Sequence, residues 1–592
     1  MDARVVVVGA GPAGLTAAYE LARMNLPPVV LEKGDKVGGL ACTENYRGFH
    51  FDMGGHRFFT KVPAVARIWR DVLGRDFLTR PRLSRIYFNG KFFPYPLQPA
   101  GTLGVLGLRE SVLVGLSYLR WQVAPYSRED TFEQWVTNRF GRRLFRTFFK
   151  TYTEKVWGVS CAELRAEWAA QRIKDLSFRT AVMNMLVRQR RTITTLIEQF
   201  EYPRLGPGMM WNAVRAEIER RGGTVHLGRE VIGIRRDGDR IVEVVARENG
   251  GSRAFAGTHF VSSMPVTELV ARLDPPAPAD VATAAGALRY RDFLTVCLIV
   301  DRADVFPDNW IYVHDPDVRV GRIQNFKNWS PDMVPDAGKT SLGLEYFCSE
   351  GDDLWNASDA ELIDLGSREV ERLGLARRDE VQDGCVVRVP KAYPVYDASY
   401  REHLARVRSF VDGLANLATV GRNGLHRYNN QDHAMLTGML AVRNLVHGER
   451  NDLWSVNTEQ EYHEEIQAAV GSATAEALEE VTLVPGFGKL DRIALGLALG
   501  LVGGVGLFLA SLFLLVKGGP HVGYHLNLLG QFLPGYRVSS AGMFVGLAWG
   551  LVGGFVAGWT FAVLRNAVAL FVLTVVRRRA EAQLLRRLLD YV

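Results

Sequence analysis

The sequence predicts an α/β fold followed by a pair of apolar helices, and three observations lead to this prediction. The chain opens with an apolar run, a glycine-rich turn, a helical pattern and a second apolar run (VVVVGAGPAGLTAAYELARMNLPPVVLEK), which is the order strand, helix, strand. Apolar residues at strand spacing recur in DFLTVCLIV and TSLGLEYF. The C-terminal part holds two uncharged apolar stretches of membrane-spanning length.

Size and charge bound the class of protein. The 592 residues are too many for one ordinary domain, and 47% hydrophobic with 23% charged residues is typical of a globular chain. The formal net charge of +7 is carried by the residues from Pro485 onward, so the larger part of the chain is close to neutral. This distribution argues against a nucleic-acid binder and places the positive charge where it can meet anionic lipid. The five cysteines include no CxxC pair, so reduced thiols are expected and neither a disulfide framework nor a metal site is predicted.

The apolar stretches at residues 493–516 and 538–564 are predicted to form a two-helix transmembrane hairpin. A pair of buried soluble helices is the alternative. Arginines at residues 577–579, 586 and 587 place the C-terminal side in the cytoplasm by the positive-inside rule. Two spans return the chain to the side that it left, so the body is predicted on the cytoplasmic side of the inner (cytoplasmic) membrane. No signal peptide is expected at the N-terminus.

The first glycine-rich turn has the spacing of a dinucleotide-binding loop. In GAGPAG, Gly9, Gly11 and Gly14 form GxGxxG between a strand and a helix, with Ala13 inside the loop, and this context makes the motif specific. Gly9 permits the tight turn, Gly11 lets the backbone approach a pyrophosphate, and Gly14 permits close packing of helix and strand. The helix N-terminus stabilises the phosphate charge. Glu32, after the second strand, is expected to accept hydrogen bonds from a ribose.

Two further glycine-containing segments indicate FAD rather than NAD. Gly38 and Gly39 stand in KGDKVGGLACT, and Gly55 and His56 stand in FDMGGHRFF. Together with the first loop these segments resemble the amine-oxidase-like superfamily of FAD flavoproteins (the GR2 type), in which the second glycine pair approaches the cofactor phosphates. The resemblance implies a Rossmann-like FAD-binding domain joined to a mixed α+β substrate domain. It also implies that Gly55 and His56 lie against the reactive face of the isoalloxazine.

A later segment, GGTVHLGREVIGI (residues 222–234), resembles the strand that lies over the adenine in this superfamily, with Val231 at the contact. An ordinary surface hairpin is the alternative for this segment. A second GxGxxG in a strand–helix setting is absent from the sequence, so a separate NAD(P)H domain is not expected. The reductant of the flavin is therefore an unknown partner that would reach it through the substrate site.

The resemblance implies domains assembled from separated segments of the chain. FAD-binding segments are predicted at residues 1–60, 200–270 and 416–445. Substrate-domain segments are predicted at residues 61–199 and 271–415. Residues 446–484 are predicted to be an acidic helical linker, and residues 485–592 the transmembrane hairpin with a basic amphipathic tail.

Four stretches narrow the class of enzyme. KTYTEKVWGVSCAEL (150–164), VGRIQNFKNW (320–329), KAYPVYD (391–397) and VGRNGLHRYNNQD (420–432) resemble segments that line the pocket of UDP-galactopyranose mutase. The resemblance covers most of residues 1–445 in patches, and the last stretch is its most specific part. It implies that Gly421 and Arg422 contact the flavin and that Tyr428 holds the substrate phosphate. The other pocket positions that it implies are Trp157, Tyr393 and, as a phosphate clamp, Arg322.

The sequence departs from the mutase pattern at several positions. Asn430 stands where the mutase has its first Asp, whereas Asp432 keeps the second, and Ala392 replaces one Tyr of the YYPV element. The stretch YPRLGPGMMW (202–211) is closer to the branch that contains amine oxidases and protoporphyrinogen oxidase. These departures concern the nucleotide half of the substrate more than the flavin.

The resemblance implies an FAD-dependent pyranose–furanose mutase for cell-surface glycan synthesis, with N5 of the reduced flavin as nucleophile, and the predicted hairpin adds a membrane anchor. Its substrate is expected to be a polyprenyl-phosphate- or nucleotide-linked sugar. In such a reaction the protein orients the substrate and stabilises negative charge, and Arg and Tyr side chains are suited to both tasks. An FAD oxidase or desaturase acting on an apolar or lipid substrate is the alternative, and a non-catalytic flavin-binding scaffold is the third hypothesis. The membrane is an expected partner, nucleic acid is not, and a homo-oligomer is left open.

Two groups of basic residues are assigned to structure rather than to catalysis. His426 and His433 are expected at a helix cap or on the surface. The arginine runs at residues 80–85 and 142–146 are expected on solvated faces rather than as phosphate clamps.

Overall fold

The computed structural model describes residues 4–166, 199–456 and 491–589, apart from residues 96, 98, 249, 398, 520 and 521. The chain forms two compact units. Among the described residues, the first unit holds 4–166 and 199–456, and the second holds 491–589. Most of the predicted linker, residues 457–484, lies outside this part of the chain.

The strands that the structure describes all belong to the first unit. In chain order they are β1 (Val5–Val8), β2 (Val29–Leu31), β3 (Thr43–Tyr46), β4 (Phe49–Asp52), β5 (Phe77–Pro81), β6 (Ser84–Phe88), β7 (Lys91–Pro94), β8 (Gln199–Pro203), β9 (Thr224–His226), β10 (Val231–Asp237), β11 (Arg240–Glu248), β12 (Gly251–Ala256), β13 (His259–Ser262), β14 (Leu273–Asp274), β15 (Tyr290–Val300), β16 (Trp310–Val313), β17 (Arg322–Asn325), β18 (Thr340–Cys348), β19 (Val381–Pro394) and β20 (Leu417–Thr419).

The longer helices of the same unit connect these strands. They are α1 (Pro12–Arg23), α2 (Pro63–Leu73), α3 (Pro99–Leu106), α4 (Leu108–Val123), α5 (Phe132–Phe140), α6 (Thr151–Trp157), α7 (Pro207–Arg220), α8 (Val266–Ala271), α9 (Ala279–Ala287), α10 (Asp359–Arg372), α11 (Tyr400–Asp412) and α12 (Gln431–His447). Shorter helical turns are Arg142–Leu144, Phe326–Trp329, Asp353–Asn356 and Gly421–Gly424.

The first sheet is parallel and has the strand order β20–β13–β1–β2–β9. Every residue of the central strand β1 is buried, as expected for a strand covered on both faces. Val5 and Val7 join the core that contains Trp211 of α7 and Met435 of α12. Val6 and Val8 join a second core on the opposite face. The apolar run at the start of the chain therefore holds two layers together.

The carboxyl ends of these parallel strands lie at one edge of the sheet. Gly9 follows β1, Glu32 follows β2, Ser263 follows β13, and Gly421 comes two residues after β20. In open parallel sheets the ligand binds outside this edge. The predicted FAD-binding residues Gly9, Glu32 and Gly421 are thus brought to the place where such a fold binds its ligand.

A four-stranded sheet, β12–β11–β10–β14, covers the second core. The segment 222–234 is divided between two sheets, because β9 pairs in parallel with β2 while β10 pairs antiparallel with β11. The two halves of this segment therefore do not pair with each other, and β10 instead forms a hairpin with β11. The segment links the five-stranded parallel sheet to the four-stranded sheet.

A seven-stranded sheet, β19–β15–β18–β17–β16–β6–β7, forms the other half of the first unit. The stretches DFLTVCLIV and TSLGLEYF lie in β15 and β18, as predicted, and all nine residues of β18 are buried. Arg322, the first residue of β17, lies directly opposite Glu345 of β18. This pairing places the fully buried carboxylate of Glu345 next to an arginine.

The second unit is built around two long helices, α13 (Arg492–Lys517) and α14 (Gly542–Leu589). By length and composition, α13 and residues Gly542–Val568 of α14 could each cross a membrane. The second helix begins at Gly542 rather than at residue 538. The reason is local, because the N–H of Val538 donates to Asn527 Oδ1 and that of Gly542 to Ser539 Oγ, which holds this segment in a turn.

Candidate functional site

The loop between β1 and α1 is a tight turn without room for side chains. Gly9 has φ +97°, and an added Cβ there would lie 2.2 Å from Ser263 Oγ. An added Cβ at Gly14 would lie 2.0 Å from the carbonyl oxygen of Gly9. Gly11 is the N-cap of α1 and its residue type offers no side chain to cap the helix. The first N–H groups of α1 are therefore left for an anionic ligand.

The second glycine pair lies directly against the first loop. The N–H of Gly38 donates to the carbonyl oxygen of Ala10 at 2.8 Å. Gly39 has φ +53°, and an added Cβ there would lie 3.1 Å from Gly11 Cα. Two loops that are distant in the sequence thus form one backbone surface, in the arrangement that the resemblance implied for a pyrophosphate.

Glu32 supports this surface with its carboxylate. Its two oxygens accept hydrogen bonds from the N–H groups of Ala10 (2.7 Å) and Gly34 (2.8 Å). A carboxylate can accept about four hydrogen bonds, so capacity for the predicted ribose hydroxyls remains. Val231, the predicted adenine contact, is buried at the start of β10. Two residues earlier, the N–H of Arg229 donates to the carbonyl oxygen of Glu32 at 2.7 Å, which brings this segment past the end of β2.

Gly421 brings the late polar turn to the same place. It has φ +78°, and an added Cβ would lie 2.9 Å from the Cβ of Ala13. Its N–H donates to Thr437 Oγ1 at 2.9 Å. An added Cβ at Gly438 would lie 2.4 Å from the carbonyl oxygen of Ala13, so α1 and α12 cross in backbone contact. The close crossing explains why small residues recur at these positions.

Arg422 and two tyrosines form a stacked group beside the loop. The Cζ of Arg422 lies 4.8 Å from the ring centroid of Tyr428 and 5.5 Å from that of Tyr393. The two rings stack 5.9 Å apart at an interplanar angle of 8°. Arg422 also donates to the carbonyl oxygens of Ala392 (2.9 Å) and Asn429 (2.7 Å). The guanidinium group is therefore held by the backbone with aromatic faces around it.

Trp157 and His56 belong to the same pocket. The Trp157 ring meets Tyr393 edge-on, with centroids 6.1 Å apart. His56 is half-buried, and its Nδ1 lies 3.2 Å from the carbonyl oxygen of Gly54. Burial and the charges of Arg422 and Arg322 lower the pKa of His56 to about 3. The imidazole is therefore neutral at physiological pH and can donate from one nitrogen while accepting at the other.

Arg322 is engaged by a buried carboxylate that the sequence analysis did not identify. Its guanidinium donates to Glu345, and Gln324 Nε2 donates to the other oxygen of Glu345 at 2.8 Å. Burial acts to lower the pKa of Arg322, but the charge of Glu345 together with Tyr152, Tyr393 and Tyr312 outweighs it and raises this pKa well above its ordinary value. Glu345 is the one charged residue in TSLGLEYFC, and a lone acid in an apolar strand was a signal that could have identified it.

The stretch 150–164 contributes a tyrosine, Tyr152, that the sequence analysis did not identify. Tyr152 stacks on His314 with ring centroids 4.7 Å apart. Burial raises the pKa of Tyr152 well above its ordinary value, so the phenol stays protonated. Lys155 of the same stretch donates to the carbonyl oxygens of Asp315 (2.6 Å) and Val320 (3.2 Å). This lysine ties α6 to the loop before β17.

His426 and His433 lie at helix ends, which is one of the two predicted positions, but not on the surface: His426 follows the turn Gly421–Gly424, and His433 is the third residue of α12. Both side chains are buried, and the His426 ring lies 4.8 Å from that of Tyr290. The turn is packed inward because Gly424 closes on the end of β13, where an added Cβ would lie 3.0 Å from the carbonyl oxygen of Ser262. Polarity in this segment reflects a buried turn rather than solvent exposure.

The arginines at residues 80–85 are also less solvated than predicted. Arg85 forms an ion pair with the buried carboxylate of Asp308, and Arg80 donates to the carbonyl oxygen of Asn328 at 3.2 Å. The Cζ of Arg82 lies 5.3 Å from the ring centroid of Trp310. By contrast, Arg142 and Arg143 are partly exposed in ion pairs with Glu133 and Glu110, as predicted.

The parallel sheet, its two glycine loops and the pocket beside them define the protein as a dinucleotide-binding flavoprotein. The family model for flavin-containing amine oxidoreductases matches residues 12–443, and the chain belongs to this family. FAD is the cofactor, and the loop residues that would hold it are Gly9, Gly11, Gly38, Gly39 and Glu32. An added Cβ at Gly11 would have only ordinary contact with the protein, at 3.8 Å from Gly39 Cα, so a side chain there would enter the space left for the cofactor.

Comparison with individual proteins gives more distant similarities. A Mycobacterium tuberculosis protein assigned as a flavin-containing monoamine oxidase, AofH, is 26% identical over 299 residues, which are 47% of this chain and 60% of that relative. Reduced UDP-galactopyranose mutase aligns in structure with a TM-score of 0.67 at 20% identity, covering 77% of this chain and 98% of that one. A protein from Exiguobacterium sp. 255-15 assigned as a protoporphyrinogen oxidase aligns with a TM-score of 0.58 at 18% identity, covering 76% and 100%. These structures share the fold.

Proposed function

We propose that the protein is a membrane-anchored flavin-dependent mutase that interconverts the pyranose and furanose forms of a sugar carried on a polyprenyl phosphate. The observation that supports this most is the convergence of Arg422, Tyr428, Tyr393 and Trp157 on one pocket beside His56. Aromatic faces suit a sugar ring, and guanidinium groups suit a phosphate. A nucleotide-linked sugar is the second carrier that this pocket chemistry admits.

The residues of the pocket would orient the sugar and stabilise charge. Bound in its reduced form, the flavin supplies a nucleophilic N5 for the anomeric carbon. Tyr428 would hold the departing phosphate and Arg422, next to it, would contact the flavin, while the neutral imidazole of His56 can exchange hydrogen bonds with sugar hydroxyls. Because the bond between the anomeric carbon and the phosphate oxygen is broken and re-formed, the reaction consumes no reductant.

The apolar helices α13 and α14 support a lipid carrier over a soluble one. A protein held at a bilayer meets a membrane-bound substrate in two dimensions, which raises the effective concentration of that substrate. Asn430 and Ala392, which depart from the mutase pattern, are consistent with a site no longer built for a uridine diphosphate. The body and both ends of the hairpin are proposed to lie on the cytoplasmic side of the inner membrane, where polyprenyl-phosphate sugars would be met.

A flavin oxidase or desaturase with an apolar substrate is the second candidate. Membership of a family of amine oxidoreductases and the similarity to a protein assigned as a monoamine oxidase favour it. The two candidates differ in redox balance. An oxidase reduces its flavin once in every turnover, whereas the mutase returns its substrate at the same oxidation level.

The test is to incubate the dithionite-reduced, full-length protein anaerobically with a polyprenyl-phosphate pentose or hexose and to determine the ring form of the released sugar by NMR. We expect pyranose–furanose conversion without stoichiometric consumption of reductant. Arg422→Ala and Tyr428→Phe should each lower turnover by roughly tenfold or more, as expected for groups that act on the reacting centre. Arg235→Ala, on the exposed side of β10, is the matched control and should leave turnover unchanged.

Two outcomes would separate the hypotheses. Obligatory loss of hydride from the substrate would contradict the mutase hypothesis and support the oxidase hypothesis. Conversion of UDP-galactopyranose at the same efficiency would support the mutase reaction but contradict the proposal of a lipid carrier.

A further inference from the structure

We infer that α4 is a membrane-surface helix, by which the first unit lies on an anionic lipid bilayer. The inference rests on the membrane anchoring in the proposed function but not on the reaction, because a lipid-acting oxidase would need the same contact. The proposed interaction surface belongs to the first unit and is additional to the two long apolar helices.

The surface is a stripe of large apolar side chains that face solvent. The exposed members are Leu108 (84%), Val112 (52%), Leu116 (58%), Leu119 (59%) and Val123 (85%). At 100° per residue these five positions fall within about 80° of the helix circumference. Isolated exposed apolar residues are ordinary, but an aligned row over four helical turns is not.

The other sides of α4 face the protein, where Val114 is buried and polar side chains form hydrogen bonds and an ion pair. Glu110 pairs with Arg143, and Ser117 Oγ accepts the N–H of Arg143 at 3.1 Å. Gln122 Nε2 donates to the carbonyl oxygen of Asn138 at 2.9 Å. A helix that packs on a water-soluble core normally turns its apolar face inward. Here Val114 faces inward as usual, but the five stripe residues face solvent, so the stripe requires an apolar environment of its own.

A bilayer is the environment that the surrounding residues favour. Arg109 and Arg120 are exposed beside the stripe, where they can meet anionic headgroups. The same chain carries two helices that are long and apolar enough to span a membrane, so a lipid surface is within reach of this unit.

The experiment uses the full-length protein in liposomes of phosphatidylcholine and phosphatidylglycerol that contain a diazirine-labelled phosphatidylcholine. After photolysis, tryptic peptides are mapped by mass spectrometry. Cleavage after Arg109 and Arg120 releases residues 110–120, which contain three stripe positions. We expect lipid adducts on Val112, Leu116 and Leu119, in addition to adducts in α13 and α14.

Three variants test the inference further. Replacing Val112, Leu116 and Leu119 together by Ser should reduce labelling of residues 110–120 several-fold while the FAD absorbance and the labelling of α13 stay unchanged. The matched control replaces Ile232 and Val242, two exposed apolar residues elsewhere on the unit, by Ser and should change neither. Arg109→Gln with Arg120→Gln removes both cleavage sites, so its labelling is followed on the tryptic peptide 92–128. This labelling should fall in liposomes that contain phosphatidylglycerol and change little in liposomes that lack it.

Three outcomes would overturn the inference. The first is lipid adducts confined to α13 and α14. The second is chemical cross-linking of residues 110–120 to the same peptide of another copy, which would make the stripe a dimer contact. The third is cross-linking of this peptide to residues 457–490, which would make it a docking site for the chain's own segment.

Discussion

Glu345 and Asp52 are buried carboxyl groups with different surroundings. Glu345 receives hydrogen bonds from the charged guanidinium of Arg322 and from Gln324. Asp52 receives hydrogen bonds from the hydroxyl groups of Thr43, at 2.9 Å, and Tyr202. Burial outweighs these two hydrogen bonds and raises the pKa of Asp52 to about 7. Neutral donors therefore leave this carboxyl titratable near physiological pH.

The raised pKa of Asp52 predicts a pH-dependent stability. Between its unfolded pKa of 3.8 and its folded pKa of about 7, the folded protein binds more protons, so the free energy of unfolding falls as pH rises, by at most roughly 1.4 kcal/mol per pH unit. Because Asn cannot ionise, Asp52→Asn removes this fall in the free energy of unfolding. We expect the Tm of the variant relative to wild type to be higher at pH 8 than at pH 5. Equal differences at both pH values would contradict the assignment.

Gly11 carries the most direct prediction about the cofactor. Its added Cβ would have ordinary contact with Gly39 Cα at 3.8 Å, so the protein alone tolerates a small side chain, but the pyrophosphate space would be filled. Gly11→Val should therefore abolish FAD binding in a folded protein. The measurement is flavin absorbance per protein after purification, with circular dichroism as the test of folding. Gly286→Ala, in open space on α9, is the control, and full flavin occupancy in Gly11→Val would show the loop assignment to be wrong.

At the scale of elements, α13 and α14 pack through glycines. An added Cβ at Gly500 would lie 2.6 Å from the carbonyl oxygen of Leu551, and one at Gly554 would lie 2.3 Å from that of Leu499. Small residues allow such close approach of helices, which in a membrane depends on van der Waals contact rather than on the hydrophobic effect. Gly506 lies on the same helix in open space and offers an internal comparison.

Gly500→Leu should separate the two helices, whereas Gly506→Leu should not. The separation can be measured in liposomes as the distance between spin labels at residues 502 and 552, on a background without the native cysteines. We expect a longer and broader distance distribution for Gly500→Leu because the larger side chain meets the backbone of α14. The same distribution in both variants would mean that the glycine contact does not hold the pair together.

At the scale of the whole molecule, the chain joins a flavin-binding unit to a unit with two apolar helices. The arginines at residues 577–579 follow the second apolar stretch and predict that this end stays in the cytoplasm. Lys517 and Arg537 border the connection between the helices, and they oppose this orientation with fewer charges.

The orientation can be measured with reporter fusions. Green fluorescent protein at the C-terminus should fluoresce, because it folds in the cytoplasm. Alkaline phosphatase inserted in the connection between α13 and α14 should be active, because it requires the outer side. Replacing the three arginines at 577–579 by Ala should weaken both signals. An inactive phosphatase together with a dark C-terminal fusion would reverse the proposed topology.

The sequence by itself determined the features that depend on local pattern. The GxGxxG loop at Gly9, the strands around Cys297 and Leu344, and the two apolar helices could all be predicted, because each is encoded by the spacing of neighbouring residues. The late turn at Arg422 was placed through its resemblance to a known motif. In these segments the local preference and the final structure agree.

Tertiary structure alone decided which of these residues come into contact and which face of a helix is exposed. Tyr393 and Tyr428 stack across 35 positions of sequence, Glu345 finds Arg322 through strand register, and His426 is buried because a glycine lets its turn close on β13. The spacing of α4 defines an apolar face, but only the fold turns that face outward. Such outcomes depend on register and on helix orientation, which are set by contacts between segments far apart in the chain and leave no local signal in the sequence.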